Sequence, residues 1–135
     1  MSQEQNKDLL RRFHAAWEAG DLDGLKACLA PDVISYNPVD GQQRGIDHEL
    51  NACESWHAGF SDTALDLEHI VAESDLVTVH WLLRAENDKP FMGMTPTGVS
   101  VRCPGFEVNR VRDGKIVEIW RLSDTWSLMQ QLGAV

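Results

Sequence analysis

The first residues to consider for chemistry are a tryptophan and an aspartate on one predicted strand. Trp120 and Asp124 follow the segment Arg112-Asp113-Gly114-Lys115, whose Asp-Gly pair between alternating apolar runs predicts a β-hairpin. Because side chains alternate along a strand, their even spacing places both residues on one face. A carboxylate on a half-buried face is unfavourable unless it is paired or used. The pattern therefore marks Asp124 as a candidate general acid or base.

The register of this predicted hairpin decides which side chains share a face with Asp124. A turn at residues 112–115 places Val111 opposite Ile116 and Glu107 opposite Trp120. One face then carries Glu107, Trp120, Leu122 and Asp124, and the other carries Phe106, Val108, Val117 and Ile119. We expect the first face to line a cavity beneath the helices. The second would meet another subunit in a homodimer or higher homo-oligomer. The alternative is that Glu107 and Asp124 are surface carboxylates near strand ends.

A histidine lies in the middle of another predicted strand, residues 76–84. Strand alternation places His80 on the side opposite Val77 and Val79. An imidazole near Asp124 would give an acid–base pair that works at neutral pH. A hydrogen-bonded core histidine explains His80 equally well. We expect two helical histidines, His14 and His48, to face solvent.

Other polar residues give weaker signals. Glu54 and His57 have helical spacing, but a carboxylate-bridged metal site needs a second such pair, so we predict no metal. Tyr36 and Asn37 lie between a strand and a loop and would point into a cavity mouth, although turn chemistry explains Asn37 as well. The sequence has no Gly-x-Ser-x-Gly motif and no glycine-rich phosphate loop. A cofactor-free site is the simplest prediction.

Composition restricts the class of partner. A chain of 135 residues is expected to form a single domain over residues 1–135, and its net charge of −9 argues against nucleic acid and anionic membranes. The sequence lacks an apolar stretch long enough to span a membrane. Three well-separated cysteines fit a reducing compartment, and the polar N-terminal residues are unlike a secretory leader. We therefore expect a cytoplasmic protein.

The order of predicted elements indicates an α+β fold. Ser2 and Gln5 form a capping box for a helix that ends at Gly20, and Asp21 caps a second helix through Leu29. A strand at 33–36 and a loop to Gly45 precede a third helix at about 46–57. The period then changes to two, which predicts strands at 64–72, 76–84, 99–111 and 116–124, before a last helical turn at 126–132.

Four segments together carry a resemblance to a known family: Phe60-Ser-Asp62, Phe91-Met-Gly-Met-Thr-Pro-Thr-Gly98, Asp113-Gly-Lys-Ile-Val-Glu-Ile-Trp120 with Asp124, and Gln130-Gln-Leu-Gly133. In these segments the chain resembles the SnoaL-like polyketide cyclases, which have the cone-shaped nuclear-transport-factor-like fold. The resemblance implies a curved, mixed or antiparallel sheet covered by N-terminal helices around an internal apolar pocket. It also implies a hydrophobic small-molecule substrate.

What the resemblance implies for chemistry is an intramolecular aldol ring closure without metal or organic cofactor. Asp124 would be the general acid or base, assisted by His80 or Tyr36, in a pocket expected to be lined by Trp17, Tyr36, Trp56, Phe60, His80, Met92, Met94, Glu107 and Trp120. The fold also hosts isomerases, accessory hydroxylases, hydratases, epoxide hydrolases and non-catalytic binding proteins. Its epoxide hydrolases use an Asp-Arg-Asp arrangement, whereas the corresponding strand here carries His80 and Leu82.

Overall fold

The structure is a computed structural model that describes residues 2–135. The helices are α1 (Gln3–Ala19), α2 (Leu22–Cys28), α3 (Ile46–Gly59) and α4 (Thr125–Gln131). The strands are β1 (Leu29–Asn37), β2 (Gly41–Arg44), β3 (Ser61–Glu73), β4 (Leu76–Glu86), β5 (Ser100–Arg112) and β6 (Lys115–Ser123). The predicted α+β class is confirmed. Strand β2 lies where the sequence predicted only a loop.

Local capping explains where the first two helices begin and end. The Ser2 side chain accepts a hydrogen bond from the Gln5 backbone, and the Gln5 side chain accepts one from the Ser2 backbone, which completes the predicted capping box. Gly20 adopts the left-handed conformation that closes α1. Asp21 then caps α2 by accepting a hydrogen bond from Gly24. These helix boundaries confirm the sequence prediction.

The six strands form one sheet in the order β2-β1-β6-β5-β4-β3. Strands β1 and β6 are parallel, and the other neighbouring pairs are antiparallel. The helices cover one side, which we call the inner face, and its central side chains are buried: Val77, Val79, Trp81, Leu83, Val101, Cys103 and Ile119. Side chains on the opposite side, the outer face, include His80, Phe106, Val108, Trp120 and Leu122. The alternation of burial along β4 and β5 follows the pleat.

The predicted hairpin between β5 and β6 is present, but most of its register differs from the prediction. Asp113 and Gly114 have φ values of 51° and 73°, as a two-residue hairpin turn requires, and Val111 pairs with Ile116 as predicted. A β-bulge follows, with Val117 as the extra residue of β6. Because one extra residue reverses the faces, Glu107 pairs with Arg121 rather than Trp120.

This bulge corrects the two predicted faces. Glu107 lies on the inner face with Ile119 and Arg121, whereas Trp120 and Leu122 lie on the outer face with Phe106 and Val108. The predicted grouping of Glu107 with Trp120, and of Ile119 with Phe106, is therefore wrong. An inner core residue, Trp81, illustrates how closely this face is packed, because any side chain at Gly105 would collide with its indole.

Candidate active site

Four ionisable side chains meet on the inner face, and we call them the inner charge cluster: His14 from α1, Glu49 from α3, Glu107 from β5 and Arg121 from β6. The side chain of Glu107 is 1% exposed, whereas that of Arg121 is 19% exposed. Charged groups are rarely buried unless they are paired. The cluster therefore joins two helices to the centre of the sheet by ionic contacts.

Arg121 is the link between the two carboxylates. Its Nη1 and Nη2 donate to Glu49 at 3.1 and 2.9 Å, and its Nε donates to Glu107 Oε2 at 2.9 Å. The other oxygen, Glu107 Oε1, lies 2.8 Å from His14 Nε2 and accepts a bond of 3.3 Å from Asn109 Nδ2. This geometry is the planar fork with which a guanidinium binds carboxylates in two-point contacts.

The hydrogen bonds of His14 define its charge. Its Nδ1 lies 2.7 Å from the Leu10 carbonyl oxygen, which can only accept, so Nδ1 donates. Its Nε2 faces an ionised Glu107 oxygen, which can also only accept, so Nε2 donates as well. Both ring nitrogens therefore carry protons, and His14 is an imidazolium. Two positive groups then balance two negative groups inside the cluster.

Burial and neighbouring charge oppose each other at Glu107. Burial favours the protonated form, but the positive charges of His14 and Arg121 and their hydrogen bonds outweigh it and lower the pKa of Glu107 well below its ordinary value. Burial similarly opposes the charged form of Arg121, but Glu49 and Glu107 raise its pKa. Glu107 and Arg121 are therefore both ionised at neutral pH.

Arg121 has N–H groups that the cluster does not use and that can donate hydrogen bonds to an oxygen atom of a ligand. A guanidinium has more N–H groups than the three contacts of Arg121 use, and its partial exposure leaves it open to a ligand. A guanidinium with unused N–H groups can stabilise a developing enolate or alkoxide. Strongly shifted pKa values in a buried group are typical of functional sites, although structural ion pairs also produce them.

Among the predicted site residues, the aromatic ones fall into two separate places. Trp17, Trp56 and Phe60 meet on the inner side, where the Trp56 and Phe60 rings stack at 3.9 Å. Phe91, which the sequence did not single out as a pocket residue, packs edge-on against Phe60 at 4.8 Å. Met94 packs partly against this core, whereas Met92 is 71% exposed. Trp17, Trp56, Phe60 and Met94, which were expected to line an inner pocket, therefore lie on the inner side, whereas the Met92 side chain is exposed.

Tyr36 and Trp120 lie on the outer face. Their rings are nearly parallel, at 7°, with centroids 5.5 Å apart, and they border an open apolar groove of about 600 Å³. Phe106, Val108 and Leu122 continue this groove. The expectation that Tyr36, Glu107 and Trp120 line one pocket beneath the helices is therefore wrong, because the bulge in β6 turns Trp120 outward.

Asp124 and His80 do not meet. Asp124 follows the end of β6, is exposed, and caps α4 through a 3.0 Å hydrogen bond that its Oδ1 accepts from Ser127. His80 lies on the outer face, where its Nδ1 is 2.9 Å from His69 Nδ1 and its ring stacks on Phe106 at 4.2 Å. The expected contact between the two residues is wrong, while their catalytic roles remain predictions.

Sequence patterns did not identify three members of the inner charge cluster, His14, Glu49 and Arg121, as site residues, and they predicted that His14 faces solvent. A usable signal was present, since His14 follows Leu10 by one helical turn and adjoins Phe13 on the apolar side of α1. Glu49 likewise shares its face of α3 with Cys53 and Trp56. A charged residue inside an apolar helical stripe predicts a buried partner. No comparable signal marked Arg121, because its face depends on the bulge.

Two further features bear on function. Within residues 2–135, no group of three or more His, Cys, Asp or Glu side chains is arranged to hold a metal ion. The described helices are all too short or too polar to cross a membrane.

Comparison with known proteins identifies the family. Residues 7–132 match the family described as SnoaL-like polyketide cyclase. The structure is similar to AclR of Streptomyces galilaeus, a proposed hydroxylase, with a TM-score of 0.90 and 30% identity over 99% of this chain and 88% of AclR. It is also similar to IdmH of Streptomyces antibioticus, a proposed polyketide cyclase, with a TM-score of 0.86 and 31% identity over 96% of this chain and 99% of IdmH.

A curated relative adds sequence similarity without a known activity. An uncharacterized protein of Mycobacterium tuberculosis is 35% identical over 81 residues, which cover 56% of this chain and 61% of the relative. The family match covers nearly the whole chain and agrees with the order of helices and strands. The chain belongs to the SnoaL-like polyketide cyclase family.

Proposed function

We propose that this chain is a cofactor-independent enzyme that closes a ring in a polyketide-like small molecule by an intramolecular aldol reaction. The observation that carries the proposal is the inner charge cluster, which supplies proton donors and positive charge on the helix-covered face of a polyketide cyclase fold. Trp17, Trp56, Phe60 and Met94 would hold the apolar chain folded on that side.

The proposed chemistry conserves protons overall. A base removes the proton on the carbon next to one carbonyl, the carbanion forms a carbon–carbon bond to a second carbonyl, and an acid protonates the new alkoxide. Arg121 suits the oxyanion-binding side of this reaction, since Glu49 and Glu107 do not use all of its N–H groups, whereas both N–H groups of His14 are occupied by Leu10 and Glu107. Glu107 is a weak base because its pKa is lowered, so its role is to keep His14 charged.

The side chain that removes the proton from carbon is the catalytic base of this proposed reaction. The family resemblance assigns it to Asp124, whose Oδ1 caps α4 while the side chain remains exposed to a ligand. If Asp124 is not the base, the base has to be another side chain of the inner face. His80 retains a proposed supporting role at the outer groove, together with Tyr36 and Trp120.

The test uses as a probe, in D₂O, an aromatic β-keto ester that carries a second ketone within ring-closing reach of its acidic carbon. NMR measures exchange of its acidic C–H, and chromatography measures the ring-closed isomer. We expect the wild-type chain to accelerate both, and Asp124→Asn to slow them by roughly 100-fold if Asp124 is the base. If His14→Gln slows them while Asp124→Asn does not, the chemistry depends on the inner charge cluster and not on Asp124. Binding of the probe without exchange or closure in the wild type would contradict enzymatic ring closure and favour a binding protein.

Hydration or hydrolysis is a second candidate, because Arg121 lies between two carboxylates, Glu49 and Glu107. An acid–arginine–acid arrangement is broken on the strand that carries His80, yet Glu49, Arg121 and Glu107 form one from three other elements. A water held by such carboxylates could attack an epoxide or an alkene-conjugated carbonyl. Turnover in ¹⁸O-labelled water separates the candidates, since ring closure adds no solvent oxygen and hydration adds one atom.

We also propose that two copies of the chain associate through the outer face. Phe106 and Leu122 are 54% and 59% exposed at its centre, which is unfavourable in water. The surrounding charges neutralise one another, because Arg84 pairs with Asp66 and Arg110 pairs with Asp75 and Glu118. In a chain of net charge −9, a neutral apolar face is where a second, equally acidic copy meets least repulsion.

A further inference from the structure

Two histidines on adjacent strands of the outer face share a hydrogen bond. His69 of β3 pairs with His80 of β4, and their Nδ1 atoms are 2.9 Å apart. The ring planes differ by 6° and the centroids are 5.2 Å apart. When two rings lie end to end, the distance between their centroids equals the Nδ1–Nδ1 distance plus one ring radius on each side. The observed centroid distance fits this arrangement, so the rings lie end to end and each Nδ1 points at the other. The contact is therefore an N–H···N hydrogen bond.

Such a bond holds one proton between the two nitrogens. One Nδ1 donates and the other must be unprotonated to accept, so the pair is neutral or carries a single positive charge. A second charge requires both Nδ1 atoms to carry protons, which removes the acceptor and breaks the bond. Whether one imidazole can take up a second proton therefore depends on the proton that the other holds.

The surroundings offer limited compensation for a second charge. On β5 the pair faces Phe106, whose ring stacks on His80, with Pro104 and Val108 on either side. On β3 the nearby carboxylates are Glu68, which is exposed, and Asp66, which is already paired with Arg84 of β4. Farther along the face, Arg110 is paired with Asp75 and Glu118. Covering Phe106 with a second copy would remove water from His80.

We infer that the shared proton of His69 and His80 makes the self-association of this chain sensitive to acid. This inference rests on the proposed association through the outer face. In the associated state, the hydrogen-bonded pair beside Phe106 excludes a second proton. In the separated state, solvent allows both rings to become charged. Acid therefore favours the state that binds more protons, which is the separated chain.

The size of the effect follows from the number of protons taken up. Each subunit of a dimer gains one proton when it separates, so dissociation takes up two. Once the pH is low enough for the separated chains to take up these protons, the dissociation constant of the dimer is expected to rise by up to about 100-fold for each further unit by which the pH falls. Histidine changes charge in the range of about pH 5 to 8, which sets the conditions for the test.

The experiment measures the mass of the full chain by sedimentation equilibrium at about pH 7.5 and about pH 5. Circular dichroism at both values verifies that the chain remains folded. We expect dimers at the higher pH and dissociation at the lower. His69→Gln can still hydrogen-bond but cannot become charged, so its dimer should persist at the lower pH. His48→Gln, on α3 beside Asp40, is the matched control and should behave as the wild type does.

The outcomes separate the inference from the proposed association. Equally tight wild-type dimers at both pH values would overturn the inference and leave association through the outer face intact. A monomer at both values would overturn both. Dissociation that is unchanged in His69→Gln would assign the acid sensitivity to other groups and also overturn the inference. NMR titration of the wild-type imidazoles adds a direct measure, because independent curves for the two rings would contradict a shared proton.

Discussion

The inner and outer faces of the sheet use the same kinds of residues in opposite ways. On β5, Glu107 is buried on the inner face beside Arg121, and its neighbour Phe106 is exposed on the outer face. On the outer face, charges such as Glu118 and Arg110 pair near water around an apolar centre. The type of a residue therefore does not determine which face of the sheet it occupies, because the carboxylate of Glu107 is buried whereas the ring of the adjacent Phe106 is exposed.

The two faces also differ in how much stability we expect the chain to lose when one partner of an ion pair is removed. Removing one member of a buried pair leaves an uncompensated charge in a poorly solvated place. Exposed pairs are screened by water and ions, so they contribute little. The comparison can therefore be tested by removing one carboxylate from each face.

The largest expected effect is that of Glu107→Gln on the free energy of unfolding. The substitution is nearly isosteric but removes the charge that faces His14 and Arg121, so we expect a loss of about 3–5 kcal/mol. The matched variant Glu118→Gln removes a carboxylate from the outer pair with Arg110 and should lose far less. Urea unfolding of both variants measures the difference. Equal losses would mean that the inner charge cluster is not distinguished by its burial.

The next expected effect is on the pH dependence of stability. The pKa of Glu107 is lowered in the folded chain from an ordinary value of 4.5, so near that pH the unfolded chain takes up a proton that the folded chain does not. Its contribution is therefore fully present above about pH 5 and is lost as the pH falls through 4.5 towards the folded value.

Urea unfolding across this acidic range should show a steeper decline in the wild type than in Glu107→Gln, by up to about 1.4 kcal/mol per pH unit. Glu118→Gln serves again as the control and should decline in parallel with the wild type. Parallel curves for the wild type and Glu107→Gln would contradict the lowered pKa.

The sequence predicted the elements well because their signals are local. The capping box at Ser2, the glycine that ends α1 and the turn at Asp113-Gly114 each act within a few residues. Strand β2 was missed because its pairing with β1 depends on a neighbour rather than on its own polar sequence. Local patterns therefore located most elements but not every pairing.

The candidate site was less predictable because it depends on register. The extra residue Val117 in β6 reverses the predicted faces of the residues that follow it in that strand, and no residue type in the strand predicts the bulge. Glu107 was selected correctly as an unusual carboxylate, but the other members of its cluster come from three other elements, α1, α3 and β6. Charge pairing between such elements follows from the fold and not from spacing.

The smallest expected effect concerns Asp124, which lies beyond both faces at the start of α4. Its Oδ1 accepts a hydrogen bond from Ser127, and asparagine caps a helix about as well as aspartate does. Asp124→Asn should therefore leave the free energy of unfolding nearly unchanged, whereas Asp124→Ala should lower it by about 1 kcal/mol.

A matched control for this prediction is Asp21, which caps α2 by accepting a hydrogen bond from Gly24 at 3.0 Å. Asp21→Asn and Asp21→Ala should repeat the pattern in stability with no effect on turnover of the β-keto ester. If Asp124→Asn keeps its stability but loses turnover, the carboxylate acts in chemistry beyond capping. If the two aspartates behave alike in both measurements, Asp124 is a helix cap, and proton transfer has to be assigned to the inner face.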